Sequence, residues 1–571
     1  MGRGSITLHG LDRAIPWLKL ALGRKLPCAI AALALVASAQ AQQTAFGPLP
    51  VPPGNPLMPA KAALGKALFW DEQLSLTGTV ACGTCHRPQS AGTDPRSLLL
   101  GDSARHPGPD GVLGNADDTI ASPGVPAHDA LGNYLVDPQF GLRPRVGRRK
   151  AGTMVNAAFA GSLFWDGRAD SYFRDPLTGQ VLFPNYAALE NQALAPLTNT
   201  SEMGHAGVTL SSLVARLATV QPLALASDIP ASLSAWIGTR RYPALFAEAF
   251  DGGGITPARL AMAIASYQRT LIADQAPLDA HLAGTPSLTA LELQGQQLFQ
   301  SNDCTFCHSG PLMTDGKFHY IGVRPVAEDL GRGEFDSDAR MQGAMLTPGL
   351  RGLAERAPYM RNGRFATLED VVEFYNRGGD FSAPNKDPRM RQRNWTEAQK
   401  SALLAFMRRP LTDPRVAGEL PPFDRPTLFT ETSRVPQISG TGRAGSGGQV
   451  PQLTALEPPL LGNPNFTIVV SQSLGGASGV LVVSSDDPGM PPSPPSALAN
   501  LPFVLSGSGA AAGHASVQLN LTPSSFASGQ TLWARAFIAD SGAVGGHAVT
   551  PAVSFTVFGP VPDTIFDAGF E

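Results

Sequence analysis

The sequence predicts a mainly α-helical protein with two similar domains, followed by a small C-terminal β-sandwich domain. Three observations predict this fold. Amphipathic helix patterns run through residues 44–420, and a five-residue box with two cysteines occurs once in each half of that region. Short apolar runs of β type, separated by turn residues, follow after residue 456. With 43% hydrophobic and 16% charged residues, the 571-residue chain can bury several cores.

Five segments of the first region have the apolar spacing of amphipathic helices. They are residues 60–69, 257–272, 288–299, 368–375 and 396–407. Thr367, with Asp370 three residues later, resembles a capping box at the start of the fourth segment. Strand patterns are confined to short pieces here. We therefore expect two helical domains, residues 44–285 and 286–420, which join near the second of these helices.

The composition changes over residues 421–455. Residues 438–448 are rich in Ser, Gly and Thr, which predicts a flexible linker. Runs of β type follow at residues 466–470, 479–483, 516–521, 531–537 and 553–557. They predict a β-sandwich over residues 456–558, which has no cysteine and no catalytic constellation, so we expect a passive surface or adhesion module. Residues 559–571 form a tail, and we interpret its end, residues 566–571, as a processing signal.

Each box has the form Cys-x-x-Cys-His, which is the attachment signal for c-type haem. The two thiols form thioethers with the haem, and the adjacent His is the proximal iron ligand. A zinc site or a disulfide is the alternative, but zinc would need ligands from both boxes and would not require a His after each second Cys. We expect two covalently bound haem c groups. The residues concerned are Cys82, Cys85, His86, Cys304, Cys307 and His308.

The N-terminal segment predicts export. Residues 1–41 contain a basic pair, an apolar run at residues 28–37 and a small-x-small cleavage site at residues 39–41. The apolar run is too short to span a membrane. Removal of this segment takes away Cys28 and leaves no thiol outside the boxes, as suits a periplasmic or secreted protein. A net charge of -3 argues against a nucleic-acid partner.

Short motifs follow one another in a definite order between residues 64 and 406. They include residues 64–69, 155–159, 164–168, 201–204 and 347–351. In sequence and order they resemble the bacterial di-haem cytochrome c peroxidases and the MauG-like proteins. The resemblance covers about three-fifths of the chain. It implies two cytochrome c-like helical domains that face each other, with one haem in each.

The resemblance also implies roles around the first haem, which His86 would hold and which would react with peroxide. Gln192, Pro196 and Glu202 match the distal pocket of the family. Breaking peroxide needs a base that moves a proton between its oxygens, and Glu202 is the candidate. Trp165 matches a Trp between the two haems, where an indole can relay an electron. From the residues alone, Glu202 would be a surface carboxylate and Trp165 a core aromatic.

The second haem, on His308, needs another axial ligand. The peroxidases use a Met at a position that aligns here with Tyr375, and the MauG-like branch uses Tyr. A phenolate is a hard anionic donor that stabilises ferric iron. Tyr375 is therefore the predicted ligand, with Met360 as the main rival and Tyr359 and Met345 as weaker ones.

Two departures from the family pattern bear on calcium and on the first haem. Lys150 stands where the family often has an Asn that helps to bind calcium between the haems, which argues against calcium there. An insertion at residues 101–136 contains a run at 110–118 that resembles a calcium loop, although an acidic surface turn explains it too. The insertion offers His106 and His128 as caps for the first haem, but neither has the expected context, which implies an open haem.

The function predicted is that of an exported di-haem peroxidase. Hydrogen peroxide would react at the first haem, and electrons would arrive through the second from a small cytochrome, a cupredoxin or a protein side chain. One alternative is a di-haem electron-transfer protein without a peroxidase step, docked by its β domain. Another is a di-haem oxygenase on the same scaffold, because the iron chemistry belongs to the cofactor.

Overall fold

Among the described residues, the α-helices lie before residue 418. A computed structural model describes residues 46–463 and 466–559, and from Leu49 onward they belong to one compact unit. Within these ranges no helix is long and apolar enough to cross a membrane. The helices of the first half are α1 (Pro59–Phe69), α2 (Cys82–Cys85), α3 (Arg96–Leu99), α4 (Ala188–Thr198), α5 (Leu210–Leu217), α6 (Ala231–Ile237), α7 (Tyr242–Ala249) and α8 (Pro257–Gln268). Those of the second are α9 (Pro277–Leu282), α10 (Ala290–Ser301), α11 (Cys304–Cys307), α12 (Leu368–Asn376), α13 (Glu397–Met407) and α14 (Pro414–Ala417).

Each helical domain is built on a pair of helices that cross at a glycine. A Cβ atom at Gly65 of α1 would lie 1.9 Å from the carbonyl oxygen of Ala263 in α8. A Cβ atom at Gly295 of α10 would lie 2.0 Å from the carbonyl oxygen of Ala402 in α13. A larger residue at either crossing would push the helices apart. The repeated crossing confirms two related helical domains.

The predicted helices are present. All five have ends within four residues of the prediction, the largest difference being the end of α8 at Gln268 instead of residue 272. The capping box at Thr367 is formed: its hydroxyl oxygen accepts from Asp370 N at 3.1 Å, and Asp370 Oδ2 accepts from Thr367 N at 3.2 Å.

Strands in the helical domains are short antiparallel pairs. They are β1 (Arg105–His106) with β2 (Thr119–Ile120), β3 (Ser162–Leu163) with β4 (Ala169–Asp170), β5 (Phe173–Arg174) with β6 (Val181–Phe183), and β7 (Phe318–His319) with β8 (Met345–Leu346). The longer strands follow residue 436, so the C-terminal region is β-rich.

The β-rich region contains two antiparallel sheets. Its strands are β9 (Gln437–Ser439), β10 (Gln452–Thr454), β11 (Phe466–Gly475), β12 (Ser478–Ser484), β13 (Ala499–Val504), β14 (Gly509–Leu519), β15 (Thr531–Ala539), β16 (His547–Val549) and β17 (Ala552–Thr556). One sheet has the order β10-β11-β14, and the other has the order β13-β12-β15-β17-β9, with β16 paired to β15. Apolar residues of both sheets belong to one core, among them Ile468 and Leu532, which are fully buried.

The segment predicted as a flexible linker is ordered, which corrects that interpretation. Gln437–Ser439 forms β9 and pairs with β17. Before it, residues 413–435, here called the returning segment, pack back onto the first helical domain, whose core includes Val416, Phe423 and Leu428. A composition rich in Ser and Gly hides this order because a strand needs backbone hydrogen bonds and only a few apolar anchors.

Polar contacts fix the returning segment to the first domain. The buried carboxylate of Glu72 accepts hydrogen bonds from Phe429 N at 2.6 Å and from the Thr430 hydroxyl at 2.8 Å. Lys66 Nζ lies 2.8 Å from Asp424 Oδ1. The first domain is therefore completed by residues that follow the second in sequence.

The insertion at residues 101–136 touches the β-rich region. Tyr134 N donates to Ser516 Oγ at 2.9 Å, and Gln518 Nε2 donates to Leu131 O at 3.0 Å. Both partners lie on β14. The insertion is thus held by a sheet far away in sequence.

Candidate active site

The first box forms one helical turn that presents its side chains together. Helix α2 places Cys82 and Cys85 one turn apart, and both thiols are free. His86 follows directly, and its Nδ1 donates to Gly92 O at 3.1 Å. That bond fixes the tautomer and leaves Nε2 with a free lone pair, as a metal ligand requires.

The second box repeats the arrangement. Helix α11 carries the free thiols of Cys304 and Cys307, and His308 Nδ1 donates to Met313 O at 3.0 Å. The ring centroids of Phe69 and Phe299, each from the preceding long helix, lie 6.3 Å from those of His86 and His308 respectively.

The donor sets suit haem c. Each box offers two thiols for thioethers and one imidazole with Nδ1 already engaged, which is the set that covalent haem attachment needs. Burial raises the pKa of Cys82 and Cys85 to about 12, so both groups are neutral thiols.

Glu202 lies beside the first box. Its charge raises the pKa of both the Cys82 and the Cys85 thiol, so the carboxylate lies within electrostatic range of the box. Asn199 Nδ2 donates to Glu202 Oε1 at 3.0 Å. Burial raises the pKa of Glu202, and Arg168 opposes this shift. The structure thus brings together a box and a carboxylate that lie more than a hundred residues apart in the sequence.

Gln192 and Pro196 lie four residues apart on α4 and so share one face of that helix. Both are half-buried. Among the described residues, the Gln192 amide has no hydrogen-bond partner, which leaves its donors and acceptor available to a small molecule.

Trp165 lies where the two helical domains meet. Its indole Nε1 donates to Lys150 O at 2.8 Å, and its own carbonyl accepts from Leu346 N of β8 at 2.8 Å. Lys150 Nζ in turn donates to Arg356 O at 3.0 Å. A chain of hydrogen bonds therefore joins the halves through Trp165 and Lys150.

Lys150 and Arg356 place two buried cationic groups between the boxes. The charge of Lys150 acts on His86, and that of Arg356 acts on His308. Burial, with the repulsion of Arg356 second, lowers the pKa of Lys150 to about 7. Lys150 Nζ holds a backbone carbonyl of the kind that a calcium ion would bind, and the absence of calcium here stays a prediction.

Tyr375 and Met360 both lie against the core of the second domain, close to its box. Burial raises the pKa of Tyr375, and the thiols of Cys304 and Cys307 add to the shift. Among the described residues the Tyr375 hydroxyl has no hydrogen-bond partner. The hydroxyl of Tyr359, by contrast, donates to Leu353 O at 3.2 Å.

The two histidines of the insertion, His106 and His128, form hydrogen bonds within the insertion itself. His128 is 2% exposed, its Nδ1 donates to Pro126 O at 2.8 Å, and its ring packs on Tyr134 at 4.1 Å between centroids. His106 Nδ1 accepts from Gly108 N at 3.2 Å. Both imidazoles are tied to local structure.

The acidic run at residues 110–118 is tied in the same way. Asp110 Oδ1 accepts from Val112 N at 2.8 Å, and Asp118 Oδ2 accepts from Gly114 N at 2.8 Å. These bonds shape the turn, while the buried Asp118 Oδ1 has no hydrogen-bond partner among the described residues.

The sequence did not point to Arg96. Its Nη2 donates to Cys85 Sγ at 3.3 Å, to Asp94 Oδ2 at 2.8 Å and to Pro123 O at 2.9 Å. Arg96 thereby connects the first box to the insertion. The nearby Asp94 was the available sign, since a buried Asp so close to a box needs a cation.

His319 was missed as well. Its Nε2 lies 2.9 Å from Asp315 and its Nδ1 lies 2.9 Å from Asp387. Cys307, His319 and Asp387 have ligand atoms within 4.8 Å of one another. Because Cys307 belongs to a haem box, this group is part of the second haem environment and not a separate metal site.

Comparison with known proteins agrees with this geometry. Residues 59–287 match the family described as "Di-haem cytochrome c peroxidase", and residues 293–409 match "Cytochrome c". The methylamine utilization protein MauG of Methylorubrum extorquens is 31% identical over 364 residues, which are 63% of this chain and 80% of that protein. The chain belongs to the di-haem cytochrome c peroxidase and MauG family.

Two further relatives widen the comparison. The cytochrome-c peroxidase IdrP1 of Denitromonas iodatirespirans is 28% identical over 445 residues, 70% of this chain and 97% of that protein. A crystal structure of a MauG-like protein associated with microbial copper homeostasis has 25% identity and a TM-score of 0.47, over 69% of this chain and 99% of that one. As a family member, this protein is a c-type oxidoreductase that carries two covalently bound haem c groups.

Proposed function

We propose that this protein is an exported peroxidase that reduces hydrogen peroxide at the first haem with electrons passed through the second. The observation that carries the proposal is the half-buried carboxylate of Glu202, which lies within electrostatic range of the thiols of the first box and whose pKa burial raises. The residues proposed to hold the haems are Cys82, Cys85, His86, Cys304, Cys307, His308 and Tyr375.

The haems supply the redox chemistry. One peroxide, two electrons and two protons give two waters, and breaking the O–O bond requires a proton to move from one oxygen to the other. Glu202 is proposed to take that proton on its carboxylate and return it. The raised pKa suits this role because the carboxyl group then gains and loses a proton nearer to neutral pH. Asn199 holds the carboxylate in one orientation.

Two further residues have proposed roles. Gln192, with an amide free of partners among the described residues, is proposed to orient peroxide beside Glu202. Trp165 is proposed to relay electrons, since hydrogen bonds connect it with both helical domains. The electron donor proposed is a small cytochrome, a cupredoxin or a protein side chain, in the periplasm or outside the cell.

The test is the variant Glu202→Gln, which keeps the shape and removes the base. We expect peroxide consumption to slow by about 10²–10⁴-fold, the usual size of acid–base assistance, with the resting absorption spectrum unchanged. Glu72→Gln is the matched control, because Glu72 is a buried carboxylate of the same domain that bonds the returning segment instead. Its rate should equal that of the parent.

An unchanged rate in Glu202→Gln would contradict the proposal and favour a di-haem electron carrier without a peroxidase step. Oxygen uptake that depends on an organic substrate, in place of peroxide consumption, would favour the oxygenase.

A further inference from the structure

The two boxes differ in exposure. In the first box, the residues between the cysteines are buried: Thr84 is 1% exposed, and Gly83 packs against the Trp70 ring. In the second box, Phe306 stands between the cysteines with 59% of its surface exposed. Phe306 therefore offers an apolar contact at the surface, directly between the two cysteines of the second box. The second box is therefore the one that the protein presents to its surroundings.

Arginines surround Phe306. The residues before α13 contain Arg389, Arg391 and Arg393, here called the basic ridge. The Arg389 guanidinium lies 3.3 Å from the centre of the Phe306 ring. Arg391 Nη2 and Arg393 Nη1 lie 2.9 Å and 3.2 Å from the same oxygen of Asp303, the residue before the box.

The ridge carries an excess of positive charge. Asp303 is shared by two arginines, and Asp387, 3.3 Å from Arg389, is also bonded to His319. Lys386 adds another cation in the same stretch of chain. The Arg391 side chain is 66% exposed, so its charge faces solvent. The whole chain has a net charge of -3, so this concentration of arginine is local.

We propose that Phe306 and the basic ridge form the docking surface for a small acidic electron-transfer protein, a cytochrome or a cupredoxin, which delivers electrons to the second haem. This inference rests on the proposed function. Two reduced donors each lose one electron, and the pair reduces one peroxide with two protons to two waters. The ring gives a short-lived apolar contact, and the arginines steer a partner of opposite charge.

A membrane surface is the less favoured partner. Attachment to anionic lipid generally takes about four to eight basic residues in a cluster. The basic ridge and Lys386 together reach only the lower limit of that range, and the carboxylates of Asp303 and Asp387 offset two of the four charges. Its small size fits a transient electron-transfer contact better.

The experiment compares two forms of one probe. A lysine-rich cytochrome c and the same cytochrome with succinylated lysines are titrated calorimetrically into the oxidised holoprotein. We expect the succinylated form to bind, with about tenfold weaker affinity when salt rises from roughly 20 to 200 mM, and the unmodified form not to bind.

Variants locate the contact. Arg391→Glu should weaken binding of the succinylated probe by roughly tenfold or more, and Arg391→Gln by less. Arg174→Glu, an exposed arginine of β5 in the first domain, is the control and should bind as the parent does. Peroxide turnover with a small neutral electron donor should be the same in all four proteins.

Preferential binding of the unmodified cytochrome, or undiminished binding in Arg391→Glu, would overturn the docking proposal. So would binding to phosphatidylglycerol vesicles that Arg391→Glu abolishes while the succinylated probe does not bind. Absence of turnover with the small donor in the parent would count against the proposed function, whereas the calorimetric result would still decide the docking surface.

Discussion

Around the two boxes, burial shifts the pKa values of ionisable side chains, and hydrogen bonds hold several of these groups in place. Burial raises the pKa of Glu202 and Tyr375 and lowers the pKa of Lys150, so each shift favours the neutral form of the group. A buried polar group is stable only when something pairs with it. Asn199 pairs with Glu202, and the Arg356 carbonyl pairs with Lys150. The half-buried Tyr375 has no hydrogen-bond partner at its hydroxyl among the described residues, and this oxygen stays the predicted iron ligand.

The ligand of the second haem can be tested directly. In Tyr375→Phe, both haems should stay attached, because the thioethers do not involve this residue. The low-spin signature of a His/phenolate iron should disappear from the absorption and paramagnetic resonance spectra of the oxidised protein. Met360→Leu is the matched control, since Met360 packs on the same core. If the signature survives in Tyr375→Phe and is lost in Met360→Leu, then Met360 is the ligand.

Calcium should have no effect on this protein. Lys150 Nζ already bonds the Arg356 carbonyl, so neither a chelator nor added calcium should change the melting temperature, because a cation that does not bind the native state cannot stabilise it. Lys150→Ala should lower the free energy of unfolding by about 1–3 kcal/mol, since it leaves a buried carbonyl unpaired. A rise in melting temperature with calcium in the parent would contradict this prediction.

The sequence predicted some site residues and not others for a physical reason. Glu202 and Tyr375 lie in motifs that align with those of the family, and the alignment predicts a role for each residue. Arg96, on α3, and His319, on β7, lie outside such motifs, and the tertiary fold brings them to Cys85 and Cys307. Contacts of that kind depend on tertiary structure, which a single sequence does not display.

Among the elements, the two boxes are repeats with different surroundings. Each is a single helical turn that follows a long helix, and each has a His bonded to a backbone carbonyl. The first is covered by Trp70, and the second exposes Phe306. The repetition predicts independent attachment of the two haems.

Covalent haem content tests that independence. Replacing Cys82 and Cys85 with Ala should remove one of the two haems that remain attached in denaturant, because thioethers survive unfolding. Replacing Cys304 and Cys307 should remove the other. The measurement is the haem absorbance per polypeptide after denaturation. Retention of both haems in either double variant would refute the attachment residues.

The ends of the predicted helices match the structure more closely than those of the predicted strands. The capping pair Thr367 and Asp370 and the helical apolar spacing determine α12 locally. Strand β13 was missed because Pro502 interrupts its pattern, and it is tolerated there because β13 is an edge strand with a free side. Strand β14 begins seven residues earlier than predicted, at Gly509 instead of 516, in an Ala/Gly-rich stretch that pairing with β11 supports. The assignment of the β-rich region as a sandwich stays a prediction, as do the domain boundaries.

At the scale of the whole molecule, the chain doubles back. The returning segment supplies core residues to the first domain, and Glu72 anchors it through two of its residues. The fold is therefore more continuous than a row of separate domains.

Glu72 should make stability depend on pH. Burial raises its pKa to about 7, above the ordinary value that applies to the unfolded chain. Its contribution to the free energy of unfolding is then complete below the unfolded pKa and is lost as pH rises through about 7. The difference in that free energy between the parent and Glu72→Gln should fall by about 1–3 kcal/mol from roughly pH 5 to pH 8. Denaturant titrations at each pH measure it.

Glu397→Gln, which changes an exposed carboxylate on α13, serves as the control and should show a difference that is flat across this range. A Glu72→Gln difference that stays constant or grows with pH would contradict the assignment.

The long-range contacts impose an order of assembly. Glu72 can form its hydrogen bond only after Phe429, 357 residues later, has been synthesised. Tyr134 likewise requires Ser516, 382 residues later. As the chain leaves the ribosome, the first domain emerges without Val416, Phe423 and Leu428, and its apolar interior stays incomplete. Closing such long loops is slow, and the waiting intermediate exposes apolar surface to aggregation. The part of the protein that is synthesised first is thus the part that finishes folding last.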